Sequence, residues 1–320
     1  MLVSVVALLG GFSLLFGGGE LLVRGSVAMG LHLRISTLLI SMVIVGFGTS
    51  MPERLVCVQA ALDHLPDIAL GAVIGSNIAN ILLILGIAAL VRPLDTASPI
   101  IRRDTLAVLA ASAIFCALTF LDEIDRLAGA GMLLLLTAYL WWCYWQERQG
   151  SWWAKKDHGK EAAAAFDSAK IPMWRAFLYV FGGLILLAAG AHWLVSGAVD
   201  IAYAFGISEA VIGLSLIALG TSLPELITGV VASIHRHSDV VIGNVLGSNL
   251  FNIMATIGIV ALVTPVPLTG AIVTRDVWIM LAVAALLLPV MLLGKRHISR
   301  LEGAGFLVLY MAYMAWLFVA

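Results

Sequence analysis

Charge is what this chain most lacks. Only 12% of its 320 residues are Asp, Glu, Lys or Arg, about half the share of an ordinary soluble domain, while 62% are hydrophobic. That excludes the pair of soluble domains that length alone would suggest. Neither sign dominates: 18 Lys and Arg face 19 Asp and Glu, for a net charge of −1, so the overall balance does not invite nucleic acid. Cysteine is scarce as well. Cys57, Cys116 and Cys143 stand singly in apolar stretches with no paired spacing, which argues against a disulfide framework or a thiolate zinc site. They read as small buried apolar side chains. HExxH and GxSxG motifs are also missing, which leaves an intramembrane hydrolase working through paired glutamates without its usual signatures. The chain reads as a non-enzyme that needs no cofactor.

At about 20 apolar residues per bilayer crossing, the hydrophobic material suffices for about ten transmembrane helices. Apolar runs between polar or Pro/Gly punctuation place them near 2–22, 36–62, 68–91, 105–121, 127–146, 174–200, 208–234, 240–263, 277–293 and 303–319. The first run has no basic segment before it and no clear small-residue cleavage site after it, so it reads as a span rather than a signal peptide. The fold class is therefore an all-α polytopic membrane protein. One sizeable polar stretch, 147–172, separates a first half, 1–146, from a second, 173–320, and reads as a solvated linker.

The cationic residues orient the spans. With the N-terminus outside, fifteen of the eighteen Lys and Arg residues fall on one side, only Arg126 and Arg275 on the other, and Arg54 within a span. Basic loops stay cytoplasmic. Both termini are expected outside the cell's inner (plasma) membrane, with the linker in the cytoplasm. Trp141, Trp142, Trp145, Trp152 and Trp153 then form a belt at the cytoplasmic exit of the fifth span. The lipid bilayer and transported cations are the expected partners, and the chain is read as a monomer.

The halves are related. Residues 38–104 align without a gap on residues 210–276, with 25 identities in 67 positions. Gly48-Thr49-Ser50-Met51-Pro52-Glu53 matches Gly220-Thr221-Ser222-Leu223-Pro224-Glu225, and Gly75-Ser76-Asn77-Ile78-Ala79-Asn80 matches Gly247-Ser248-Asn249-Leu250-Phe251-Asn252. Shared apolarity does not produce a gapless string of polar matches, so this is a duplication. Five spans separate equivalent positions, and an odd number reverses direction. Ten helices as two inverted five-helix repeats are expected, an arrangement typical of secondary transporters that bind substrate between the repeats.

Glu53 and Glu225 lie near mid-span, where a carboxylate costs about 2.5–3.5 kcal/mol on insertion scales. Two such residues are an expensive way to pack helices. Pro52 and Pro224 each remove a helical donor, which frees the carbonyls of Gly48 and Gly220 to face a polar cavity. Thr49 and Glu53 share a helix face, as do Thr221 and Glu225, Ser76 and Asn80, and Ser248 and Asn252. Carboxylates, hydroxyls, amide oxygens and free carbonyls make an all-oxygen set, which suits Ca²⁺ or Na⁺ better than zinc or copper.

GTSMPE with GSNIAN, and GTSLPE with GSNLFN, resemble the two alpha-repeats of the calcium/cation antiporter superfamily in its sodium/calcium exchanger branch. The resemblance implies exchange of Ca²⁺ for Na⁺ by alternating access, three Na⁺ per Ca²⁺, with the first and sixth spans sliding across the bundle. By position it implies cation ligands at Thr49, Ser50, Glu53, Ser76, Asn80, Thr221, Ser222, Glu225, Ser248 and Asn252. Gly17-Gly18-Gly19 and Gly182-Gly183 suit either such sliding or close helix packing. Proton- or potassium-coupled exchange on the same scaffold is the alternative. Asn252 stands where some members have Asp, and Ala72 where Asn is common. Arg54 replaces an apolar residue and is expected to snorkel outward rather than to pair with Glu53.

Overall fold

The computed structural model describes residues 2–63, 65–149, 170–205, 218–268, 272–292 and 296–319; most of the expected linker, with Trp152 and Trp153, lies outside them. The protein is an all-α polytopic membrane protein of ten spans. Among the described residues, five helices are long and apolar enough to cross a membrane alone. They are α1 (Leu2–Leu33), α4 (Asp67–Val91), α6 (Arg126–Arg148), α7 (Met173–Ala204) and α10 (Ser238–Val263). A sixth crossing is the pair α2 (Thr37–Thr49) and α3 (Met51–Leu62), bent by 49°. The rest is built from α5 (Pro99–Leu118), α8 (Ala218–Thr221), α9 (Leu223–Ile234), α11 (Val277–Ala285), α12 (Leu287–Leu292) and α13 (Arg300–Val319).

Two short antiparallel ribbons tie the helix ends together. β1 (Leu94–Asp95) pairs with β4 (His297–Ile298), and β2 (Glu123–Ile124) with β3 (Val266–Pro267). The acidic loop at Asp122, Glu123 and Asp125 has structural work in this arrangement. Glu123 belongs to β2, the Asp122 carbonyl accepts from Leu268 at 2.9 Å, and Asp125 accepts from the Ala128 amide at 2.8 Å to cap α6.

Helix α1 runs to Leu33, eleven residues past the expected end of the first span. Arg24 does not stop it, because Glu20 one turn earlier pairs with Arg24 at 2.6 Å. Leu22, Val23, Val27 and Ala28, around and beyond that point, are fully buried. At 32 residues each, α1 and α7 are about 48 Å long, well over the roughly 30 Å hydrocarbon thickness, so both must tilt or project from it. They run antiparallel with backbones nearly touching. A Cβ on Gly18 would lie 2.8 Å from the Gly183 carbonyl, and one on Gly183 2.7 Å from that of Gly18. Gly11 opposes Gly190, Gly25 opposes Ala176, and Gly197 opposes Ser4 in the same way. Small residues thus recur every seven positions on both helices, and close approach maximises dispersion where lipid offers no hydrophobic drive. Gly17 and Gly182 have nothing within 4 Å of an added Cβ. Of the two readings of these glycines, close packing belongs to Gly18 and Gly183.

The centre belongs to α4 and α10. Buried positions make up 72% and 89% of their apolar stretches, against 28% for α1 and α7. Helix α2 approaches α10 through Gly46, where a Cβ would sit 2.8 Å from the Ser248 amide, and through Gly243 and Gly247. The start of α2 is fixed by a residue distant in sequence. Glu147, 3% exposed, accepts from the Ser36 amide at 2.7 Å and the Ser36 hydroxyl at 2.8 Å. All three cysteines are buried and free, as their isolated spacing suggested.

This packing makes a paired prediction. Gly183→Val forces α1 and α7 apart and should destabilise the detergent-purified protein by about 1–3 kcal/mol. Gly182→Ala, one residue away, should leave the thermal unfolding midpoint unchanged.

Candidate functional site

Each carboxylate sits in the first turn after a helix break. Ser50 joins α2 to α3 with φ −82° and ψ 9°, and Ser222 joins α8 to α9 with φ −93° and ψ 2°. In both cases proline follows at the second helical position, where its missing N–H does no harm. The break leaves Glu53 7% exposed and Glu225 1% exposed in the middle of the protein.

The serines at the breaks hold the opposite carboxylates. Ser222 Oγ donates to Glu53 Oε1 at 2.9 Å, and Ser50 Oγ donates to Glu225 Oε1 at 2.8 Å. Glu53 is further bound by Ser76 Oγ, at 3.0 Å from both its oxygens, and by Asn252 Nδ2 at 3.5 Å. Asn252 Nδ2 also reaches Ser76 Oγ at 3.1 Å. On the other side Ser248 Oγ lies 3.0 Å from Ser50 Oγ and 3.3 Å from the Gly46 carbonyl. Thr49 Oγ1 donates to Val45 O and lies 3.2 Å from Asn244 Oδ1. Thr221 is half-buried at the end of α8. Nine of the ten expected residues therefore belong to this buried cluster by described contacts or burial, and Thr221 is beside it in sequence at the Ser222 break.

Asn80 and Asn252 share a backbone feature that spacing alone does not disclose. Each opens a π-helical turn, Asn80–Ile84 and Asn252–Thr256. Such turns shift the helical register locally and recur at functional sites. Asn80 Nδ2 donates to Asn249 Oδ1 at 3.0 Å. Asn249 is legible in the sequence as part of the repeated GSN triplet but not as a partner of Asn80, and Asn244 enters through Thr49. The usable signal is the identity of Asn77 and Asn249 at matched positions.

Several buried oxygens lack a hydrogen-bond donor: Asn80 Oδ1, Asn252 Oδ1 and Glu225 Oε2. A buried acceptor left unpaired costs about 1–3 kcal/mol, more when charged. Here Asn252 and Glu225 belong to one cluster with two carboxylates and five hydroxyls, and Asn80, bonded to Asn249, is buried one helical turn after Ser76. Cations at such a cluster satisfy these acceptors and offset the carboxylate charge, and the donor set is entirely oxygen, as hard cations require.

Arg54 departs from its expected placement. It does not snorkel: it is 4% exposed. Nor does it hydrogen-bond Glu53. Its Nη1 donates to the Phe47 carbonyl, and its Cζ lies 4.3 Å from the Phe47 ring centroid and 5.3 Å from that of Phe251. The two rings meet edge to face at 5.4 Å. The bend at Ser50 folds Phe47 toward the side chain one helical stretch later, and the aromatic faces attract the cation more cheaply than a long reach to the surface. Farther out, Glu20 bonds His235 Nε2 at 2.6 Å and so joins α1 to the end of α9. His192, on α7, is exposed.

The sequence profile of the family described as sodium/calcium exchanger protein matches residues 3–145 and 175–319. CaxA of Alkalimonas amylolytica is 35% identical over 99% of both chains. The sodium/calcium exchanger MaX1 of Methanosarcina acetivorans is 28% identical, also over 99% of both. Among solved structures, the sodium-calcium exchanger NCX_Mj soaked without Na⁺ and Ca²⁺ superposes with a TM-score of 0.84 at 30% identity, over 99% of both chains.

The geometry ranks the cluster's residues. Glu53→Gln and Glu225→Gln should each abolish calorimetric Ca²⁺ binding in a protein that still elutes as a folded species. Asn80→Ala and Asn252→Ala remove a neutral oxygen and should weaken binding by about tenfold, in keeping with roughly 1–1.5 kcal/mol per neutral contact. Wild-type affinity in either glutamine variant would exclude the two-carboxylate site.

Proposed function

The chain belongs to the sodium/calcium exchanger protein family, a family of transporters and not of enzymes, and from that premise we propose that it exchanges Ca²⁺ for Na⁺ by alternating access. The observation that carries this reading is the reciprocal bond pair, Ser222 to Glu53 and Ser50 to Glu225. Each half completes the other's carboxylate, so the cation site exists only where the halves meet. The proposed ligands are Thr49, Ser50, Glu53, Ser76 and Asn80 from residues 1–146, and Thr221, Ser222, Glu225, Ser248 and Asn252 from residues 173–320. The two segments act as inverted repeats about that site. Both termini face outside the inner membrane, and residues 147–172 are cytoplasmic, as the Lys and Arg distribution supports.

Alternating access requires a part that moves and a part that stays. The α1–α7 pair is the natural mobile part. Its two helices touch from Ser4 to Gly25 of α1 and from Ala176 to Gly197 of α7, yet only 28% of either apolar stretch is buried. Helices α4 and α10, with most of the buried surface, form the stationary part. Two glutamates supply −2, which one Ca²⁺ balances, while three Na⁺ leave the site at +1. Exchange at that ratio moves one charge per turnover.

Purified protein in proteoliposomes provides the test. An outward Na⁺ gradient should drive ⁴⁵Ca²⁺ uptake, and neither a K⁺ nor a pH gradient should replace it. One charge across 100 mV is worth about 2.3 kcal/mol, so an inside-positive potential should accelerate Na⁺-driven uptake. Uptake driven equally by K⁺ or H⁺ gradients would transfer the assignment to the alternative coupling ion.

A further inference from the structure

We propose that Arg54 is a resident counter-charge of the cation site, which lowers its preference for divalent over monovalent ions. The inference rests on the exchange reading and concerns the selectivity of that same site. Arg54 follows Glu53 directly and lies one turn after Ser50, so it is carried by the same helical turn as two residues of the site, and its guanidinium is held against the ring of Phe251, the residue before Asn252. Its guanidinium is clamped rather than mobile. Phe47, on the helix before the break, and Phe251, the neighbour of the ligand Asn252, hold it from two helices. Nη1 is bound to the Phe47 carbonyl, while Nε and Nη2 are buried without a hydrogen-bond partner. An arginine does not shed its proton in such a setting. At 4% exposure, water does little to screen it.

A merely structural arginine would be expected to find a carboxylate. Two buried carboxylates belong to the same site, and neither takes its proton donors: Glu53 is bonded by Ser76, Ser222 and Asn252, and Glu225 by Ser50 at Oε1, while its Oε2 stays without a donor and still does not draw the guanidinium. The positive charge is thus delivered to the site as a field and not as an ion pair. With Arg54 counted, the formal charge of the site is −1 instead of −2. A fixed field acts on an ion in proportion to the ion's charge, so its penalty for Ca²⁺ is twice that for Na⁺ in free energy, and the square in affinity. For a separation on the order of 10 Å and an effective dielectric of about 20, Coulomb's law gives an effect of roughly 15-fold for a monovalent ion and roughly 300-fold for a divalent one.

Arg54→Gln, Arg54→Met and Arg54→Lys separate charge from packing. Ca²⁺ affinity and Na⁺ competition are read by calorimetry on the purified full-length chain, and ⁴⁵Ca²⁺ flux in proteoliposomes. Gln and Met should each tighten Ca²⁺ by about the square of their effect on Na⁺, and Lys should stay close to wild type. Met fills the aromatic clamp without charge, so it remains informative if the more polar Gln variant is unstable; Lys against wild type provides the same comparison at constant charge. Equal changes for the two ions, or a Lys variant that behaves like Met, would overturn the counter-charge and leave a packing role. Wild-type protein without Na⁺-driven flux would instead remove the exchange reading itself, so the two failures are distinguishable.

Discussion

Everything central in this protein answers to one constraint: two carboxylates stand where water cannot compensate them. An unpaired charge in a low-dielectric interior costs several kcal/mol, so Glu53 and Glu225 dictate their surroundings. Helix breaks bring Ser50 and Ser222 within reach, and proline at the second helical position allows the breaks without a lost hydrogen bond. The hydroxyl donors come from opposite halves, so neither carboxylate is satisfied by its own half alone. Oxygens at Asn80, Asn252 and Glu225 are left without donors, open to the cations of the proposed exchange. A site satisfied entirely by protein donors would have no reason to bind an ion; one with no donors would be too costly to fold.

The same cluster is asymmetric despite its repeat origin. Ser76 bonds both oxygens of Glu53, whereas its counterpart Ser248 bonds Ser50 and the Gly46 carbonyl. Asn252 reaches across to Glu53, whereas Asn80 bonds Asn249. Glu53 is therefore the better-solvated carboxylate, and Glu225 retains the freer oxygen. Arg54 adds to the asymmetry, because its repeat counterpart is Leu226. Matched motifs thus provide two unequal carboxylates, which suits the proposed exchange of ions of different charge.

Around this rigid centre, helix contact is achieved by backbone proximity. Glycine lets α2 touch α10 at Gly46, Gly243 and Gly247, which sets the distance from Ser50 to Ser248. The stripe along α1 and α7 joins those helices into one body, and Glu20 to His235 is a polar tether from that body to α9. Contact that is tight within the pair and sparse around it favours motion of the pair as a unit.

Much of this is legible without the fold. Composition determines the membrane class, since a chain with 62% hydrophobic residues has no other stable home. The gapless repeat singles out the ligand candidates, because helix packing alone does not place polar residues at matched positions in the middle of two apolar spans. The extension of α1 past Arg24 is not legible, because hydropathy cannot register a glutamate one turn away that neutralises the charge. The cross-bonding of the serines and Asn249 as a partner were decided by tertiary structure, as they depend on distances between residues 169 to 175 positions apart, and the π-helical turns at Asn80 and Asn252 leave no mark in the spacing. Arg54 is the sharpest case. Sequence could offer it only water or Glu53, whereas the bend at Ser50 and the arrival of Phe251 from the second half created an aromatic clamp that exists only in three dimensions.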